Sequence, residues 1–311
     1  MSDQQSPLAS KLFVGNVGAP YQAFASRDPY YRQMAELVVA EMFQASGCFE
    51  PHVLELGPGV GISTEVLLEH GAKVIAAEPN ESMRYFFALN HMGDTRVRLV
   101  AGSAEEQNVE AGSVSCIVGC QMFHLLKDKL KAVLHEAWAA LHPAGFLTFD
   151  LGPSNWGSWS YKLHDFRSAI PRCFPDELMT ELSHPLYQAV HNGALKFVQG
   201  SFPEFKRPNL WAEPAKAFTM DELLSAFAAA GFRLARITET AVPIVGPRIK
   251  EFVRNSWTTW CRWAPLDALP IDEKLEIVQA GFDSLAKLGD RYNGVTAYHP
   301  TVIITAQKVD P

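Results

Sequence analysis

The chain has 311 residues, 48% hydrophobic and 20% charged, with a formal net charge of −7. That composition suits a soluble protein of one large or two small domains with a sizeable core. The acidic balance argues against a surface that tracks nucleic-acid phosphates, and no run of about 18 apolar residues is present to cross a bilayer. The opening MSDQQSPLAS is polar and lacks a signal-peptide core, so a cytoplasmic location is expected. Five scattered cysteines, an odd number without a CxxC pair, read as thiols in a reducing compartment rather than a disulfide framework or zinc site.

Residues 28–46 have helical spacing, with Asp28 as cap, Pro29 at the first position and Leu37, Val38, Met42 and Phe43 as the apolar face. HVLEL (52–56) is a short apolar run stopped by glycine, hence a buried strand, and ISTEVLLEHGA continues as a helix ending near Gly71. KVIAAE (73–78) predicts a second strand and ESMRYFFALNHM (81–92) a second helix. VRLVAGS (97–103) and VSCIVGCQ (114–121) predict strands three and four, separated by little more than a turn. DKLKAVLHEAWAALHPAG (128–145) reads as a helix closing on Pro143 and Gly145, and GFLTFDLG (145–152) as strand five. TMDELLSAFAAAGF (219–232) is a helix, RLARITETAV (233–242) a strand, and 295–309 a last strand interrupted by Pro300.

Alternating apolar strands and amphipathic helices imply a doubly wound, mostly parallel α/β sheet covered on both faces. Ligands of such sheets sit beyond the carboxyl ends of the strands. The expected organisation is an N-terminal helical lid (1–50), a cofactor-binding core (51–152), a cap (153–218) and a C-terminal part of the core (219–311) with a helical insertion at 248–290.

Gly57, Gly59 and Gly61 separate the first strand from its helix. Glycine allows a tight turn or close backbone approach, and the helix start offers free N–H groups. Glu78 ends the second strand 21 residues after Gly57, where an acid can accept hydrogen bonds from ribose hydroxyls. A dinucleotide loop, G-x-G-x-x-G, would need glycine where Ile62 stands.

The run Glu55-Leu56-Gly57-Pro58-Gly59-Val60-Gly61, followed by Ala77-Glu78-Pro79-Asn80 and Gly102-Ser103-Ala104-Glu105, resembles the class I S-adenosylmethionine-dependent methyltransferases of the small-molecule type. The resemblance covers roughly residues 50–151. It implies a Rossmann-like, seven-stranded sheet under a largely helical, aromatic-rich cap, with S-adenosylmethionine as cofactor and S-adenosylhomocysteine as product. It places the methionine end of the cofactor along Glu55, Gly57, Gly59 and Gly61, and its ribose on Glu78 beside Pro79. It makes Met83 a candidate against adenine, although Met83 reads equally as a core residue. Where the family often has an acid facing adenine, this chain has Ser103, with Ala104 and Glu105 next, leaving a backbone group or Glu105 for that contact. Cys120, Gln121 and His124 follow from the strand-four tip. Tyr21 and Tyr30 are candidate cofactor contacts from the N-terminal segment, or packing residues of the lid.

The reaction implied is in-line displacement of the sulfonium methyl by a nucleophile of a small acceptor. His124 is the first candidate base and His164 the second, each also readable as an ordinary packing histidine. Six of seven tryptophans follow residue 152, so Trp156, Trp159 and Tyr161, with Trp257 and Trp260, are candidates for a hydrophobic acceptor pocket or simply an aromatic core. Asp150 and Asn155 sit where catechol-type enzymes hold magnesium, but no further acids accompany them; Asp150 reads equally as a residue that orients a loop, and no metal is assigned. The expected partner is a small molecule, not nucleic acid or membrane, and the chain is expected as a monomer or homodimer. The alternatives are an NAD(P)-dependent oxidoreductase and a non-catalytic S-adenosylmethionine-binding protein or partner subunit.

Overall fold

A computed structural model describes residues 18–25, 29–123, 126–151, 220–245 and 296–309. Two short helices lead in, α1 (Gly18–Ala25) and α2 (Pro29–Ser46). Then come β1 (His52–Leu56), α3 (Ile62–Glu69), β2 (Lys73–Ala77), α4 (Glu81–Asn90), β3 (Val97–Val100) and β4 (Val114–Gly119). A 3-10 turn (Lys127–Lys129), α5 (Leu130–Ala140) and β5 (Leu141–Leu151) complete the first run, and α6 (Met220–Ala229), β6 (Phe232–Val245) and β7 (Thr296–Lys308) the second. The chain divides into two compact units, and the first, comprising 1–164, 216–240 and 300–311, carries the candidate site.

The seven strands form one sheet in the order β3-β2-β1-β4-β5-β7-β6. β1 pairs in parallel with β2 and β4, β4 with β5, and β2 with β3, whereas β7 runs antiparallel to β5. This is the seven-stranded, mostly parallel sheet expected from the sequence. Strand order reverses between β1 and β4, and at such a switch point the loops beyond the two carboxyl ends diverge and open a crevice.

Both faces of the sheet are covered. On one, Ala35, Val38, Val39 and Met42 of α2 and Val66 and Leu67 of α3 pack over Val53, Val74, Ala76, Cys116 and Val118. The fully buried stripe of α2 is therefore Met34, Ala35, Val38, Val39 and Met42, with Leu37 and Phe43 at its margin. Elsewhere in the core Phe149 of β5 stacks between Phe123 and Phe227 of α6, at centroid distances of 3.9 and 5.6 Å.

Two boundaries differ from the sequence expectation. Helix α5 stops at Ala140, because Leu141 is already extended at ψ 139° and Pro143 cannot donate the N–H that a continuing helix needs. Register is irregular there: Leu141 pairs with Val114, and the ladder resumes at Phe146 opposite Cys116. β7 is continuous through Pro300, where the sequence predicted an interruption. The expected cap at Asp28, the cap segment 153–218 and the helical insertion 248–290 lie outside the described residues. Among the described residues, no helix is long and apolar enough to cross a membrane.

Candidate cofactor and active site

The glycine loop leaves β1 at Gly57, whose N–H donates to Ala77 O at 2.9 Å, so the turn is tied to the end of β2. Gly57, Gly59 and Gly61 all have positive φ, 62°, 61° and 99°. Their reasons differ. A Cβ on Gly57 or Gly59 would meet only ordinary contacts, with Met122 and Tyr21 at 3.4 Å, so these two are glycine for the turn itself. A Cβ on Gly61 would collide with His91 Nε2 and crowd Phe87, so this glycine makes room for the protein's own helix α4. His91 lies within 3.2 Å of Gly61 O, and Asn90 donates to Val60 O at 2.8 Å and to Gln22 of α1. The loop is thus braced from behind by the end of α4.

Two buried carboxylates flank the loop. Glu55 is fully buried and accepts from the Ser63 hydroxyl and from Thr64 Oγ1 at 2.5 Å. It ties the end of β1 to the first turn of α3, a structural task alongside its expected cofactor role. Glu78 is 6% exposed. Its carboxylate accepts from the Gly59 N–H at 3.0 Å and the Asn80 N–H at 2.8 Å. Among the described residues neither acid has a cation on its carboxylate; Arg84 instead donates to the backbone oxygens of Glu78 and Pro79. Burial pushes both carboxyls from the ordinary 4.5 up to about 7, against the pull of their hydrogen bonds.

The N-terminal helices place tyrosines on this loop. Tyr21 of α1 lies over Gly59, and burial, with Glu78 and Cys120 nearby, raises its phenol well above the ordinary range. Tyr31 meets Tyr21 and Tyr30 edge-on at 5.9 and 5.4 Å. Tyr30 donates to Gln121 Oε1 at 3.1 Å. Gln121, just beyond β4, has φ 56° and is held by Asp150 at the end of β5. Burial raises the Cys120 thiol well above its ordinary value, with Asp150 and Glu55 adding to the effect, so it stays protonated.

Met83 is 2% exposed and packs with Ala25 and Val60, while its N–H donates to Asn80, the cap of α4. Ser103 forms a bridge with Glu106, and Ala104 O accepts from the buried Gln107 side chain at 2.9 Å. Glu105 is ion-paired with Lys129. The structure therefore gathers Tyr21, Tyr30, Glu55, the three glycines, Glu78, Cys120 and Gln121 around one crevice. His124, His164, Trp156, Trp159, Tyr161, Trp257 and Trp260 lie outside the described residues. Among the described residues, no group of three or more His, Cys, Asp or Glu side chains is placed to hold a metal ion.

Sequence reasoning assigned no role in the site to Asn90 or His91, and weighed Asp150 only as a metal position or a residue that orients a loop. Asn90 and His91 sit at the end of a surface helix and carry no motif. Asp150 did leave a signal: a carboxylate inside the apolar strand FLTFDL has to be buried and satisfied.

Residues 54–149 match the family model described as a methyltransferase domain. The fold is similar to that of the [4+2]-cyclase SpnF, with a TM-score of 0.54 and 12% identity over 100% of this chain and 97% of that one. It is also similar to phosphoethanolamine N-methyltransferase 2 of Haemonchus contortus, solved with phosphomonomethylethanolamine and S-adenosylhomocysteine: TM-score 0.51 and 13% identity over 98% of this chain and 60% of that one. The YcgJ protein of Bacillus subtilis gives a TM-score of 0.50 at 14% identity, covering 88% of this chain and 99% of that one. No curated protein sequence matches the chain. Residues 54–149 therefore match a methyltransferase domain, carried on a seven-stranded sheet of the Rossmann-like methyltransferase kind. The antiparallel β7 between β5 and β6 departs from the strand order 3-2-1-4-5-6 of dinucleotide-binding folds.

Two outcomes follow from this geometry. Gly61→Ala should lose about 3 kcal/mol in denaturant unfolding, from left-handed strain plus the clash with His91, whereas Gly57→Ala should lose about 1 kcal/mol from strain alone. Adding His91→Ala to Gly61→Ala should recover part of the loss. The second concerns pH. Glu78 holds its proton more tightly folded than unfolded, so its contribution to stability is present below about pH 4.5 and is lost as pH rises through about 7. The stability of the wild type relative to Glu78→Gln should therefore fall between pH 5 and pH 8; a rise over that range would contradict the assignment.

Proposed function

We propose that the chain transfers a methyl group from S-adenosylmethionine to a small hydrophobic or aromatic acceptor, releasing S-adenosylhomocysteine. The observation that carries this reading is Glu78, a buried carboxylate at the end of β2 that faces the glycine loop at the switch point of the sheet. An ionised carboxylate only accepts, with about four lone-pair sites. Two backbone N–H groups leave capacity for the two ribose hydroxyls. The residues fit the cofactor's other end too: Gly57 and Gly59 keep side chains off the loop, and the start of α3 is the natural place for the methionine carboxylate.

Bound S-adenosylmethionine supplies a methyl group on a sulfonium, open to attack by an oxygen, nitrogen or carbon nucleophile. The chain's own work is to align and to exclude water. Tyr21, set over Gly59, and Tyr30, bonded to Gln121, support a role for residues 1–50 as the lid over that end of the crevice. Holding nucleophile and methyl in line supplies much of the acceleration without a dedicated catalyst. His124, beyond the β4 tip, is the proposed base for an acceptor that must lose a proton, with His164 as the second candidate. The concentration of tryptophan after residue 152 supports Trp156, Trp159 and Tyr161 of the proposed cap, with Trp257 and Trp260 of the proposed helical insertion, as candidates to line an apolar acceptor pocket. The net charge of −7 favours a small molecule over nucleic acid.

Calorimetric titration with S-adenosylmethionine, S-adenosylhomocysteine and NAD(H) tests the reading. The first two should bind in the micromolar range, weakened about 100-fold by Glu78→Ala, and labelled methyl should pass to a member of an apolar acceptor panel. Binding of NAD(H) alone would overturn the proposal, and tight cofactor binding without transfer across the panel would favour a non-catalytic binding protein.

A further inference from the structure

Asp150 is fully buried at the end of β5, beside the end of β4. One carboxylate oxygen accepts the Gln121 backbone N–H at 2.6 Å, and the other accepts from Gln121 Nε2. Gln121 is a non-glycine residue in the left-handed region, a conformation that costs about 1 kcal/mol and persists where its surroundings enforce it. The two bonds to Asp150 enforce it here.

The carboxylate also sorts the amide. An ionised carboxylate has no proton to give, so Gln121 must turn its NH2 group toward Asp150 and its oxygen away. That oxygen accepts from the Tyr30 hydroxyl at 3.1 Å, and Tyr30 is 5% exposed on α2. The hydrogen-bond chain thus has one direction, from Tyr30 to Gln121 to Asp150. From Tyr30 the contacts continue through the Tyr31 ring to Tyr21, which lies over Gly59 of the glycine loop.

We infer that Asp150 is a positioning residue for the proposed reaction: acting through Gln121, it fixes the polarity of a chain that fastens Tyr30 of α2 to the tip of β4 and so holds the tyrosines against the cofactor loop. The inference rests on the cofactor reading given above. It assigns Asp150 no contact with cofactor or acceptor and no metal.

The test exchanges amide and carboxylate. Asp150→Asn keeps the shape but sets two NH2 groups against each other, or forces Gln121 to turn its NH2 toward Tyr30. Gln121→Glu sets two carboxylates against each other. Combined, the two substitutions restore a complementary pair and again present an acceptor-only oxygen to Tyr30. Affinity for S-adenosylhomocysteine, measured calorimetrically on the full chain, should fall about tenfold in each single variant and return to within about threefold of wild type in the double variant. Tyr30→Phe, which removes only the hydroxyl, should weaken binding by a similar factor without a large change in melting temperature, and it carries the test if a buried substitution fails to fold. A residue that served stability alone would lower the melting temperature without this rescue of affinity. Wild-type affinity in Tyr30→Phe, or a folded double variant no better than its singles, would overturn the inference. A wild-type chain that does not bind S-adenosylhomocysteine would instead overturn the cofactor reading, and this inference with it.

Discussion

The hydrogen bond from the Gly59 N–H to the Glu78 carboxylate joins the two halves of the cleft. It links the loop after β1 to the end of β2, across the ladder in which Leu56 lies beside Ala77. The loop can turn as it does because Gly57 and Gly59 tolerate positive φ, and it stays there because Glu78 holds it on one side and Asn90 and His91 on the other. Helix α4 takes part at both ends: Asn80 caps its start beside Glu78, and its last turn braces Val60 and Gly61. A single short helix therefore fixes both walls of the proposed cofactor site.

Three carboxylates, Glu55, Glu78 and Asp150, are buried around the crevice, and their hydrogen-bond partners are hydroxyls, backbone N–H groups and one amide rather than cations. Burial raises all three carboxyls, to about 7 for Glu55 and Glu78 and about 6 for Asp150. Such groups are poised between neutral and ionised near neutral pH. A ligand with positive charge favours their ionised forms, since an opposite charge nearby lowers a carboxyl pKa. The sulfonium and ammonium groups of the proposed cofactor, S-adenosylmethionine, have that character.

The sheet and its order of elements were legible because hydrophobic runs, glycine stops and helical periodicity agreed over residues 52–151. The glycine loop and Glu78 were legible because motif and position coincide. What the motif could not tell is that Gly61 also answers to His91, since a glycine looks the same whichever neighbour needs the space. The end of α5 was legible only to within a turn, because Pro143 marks a stop without fixing how many residues before it leave the helix. The network of Tyr30, Gln121 and Asp150 joins residues 29 to 120 positions apart and has no local signature. The domain match separates this chain's reading from the fold alone, since SpnF shares the fold and is a cyclase.

The most direct measurement of the central claim is a crystal structure of the full chain with S-adenosylhomocysteine. The account requires both ribose hydroxyls on the Glu78 carboxylate and the amino-acid end along Gly57 and Gly59, beneath Tyr21. A nucleoside bound elsewhere, or a ribose with no contact to Glu78, would contradict it.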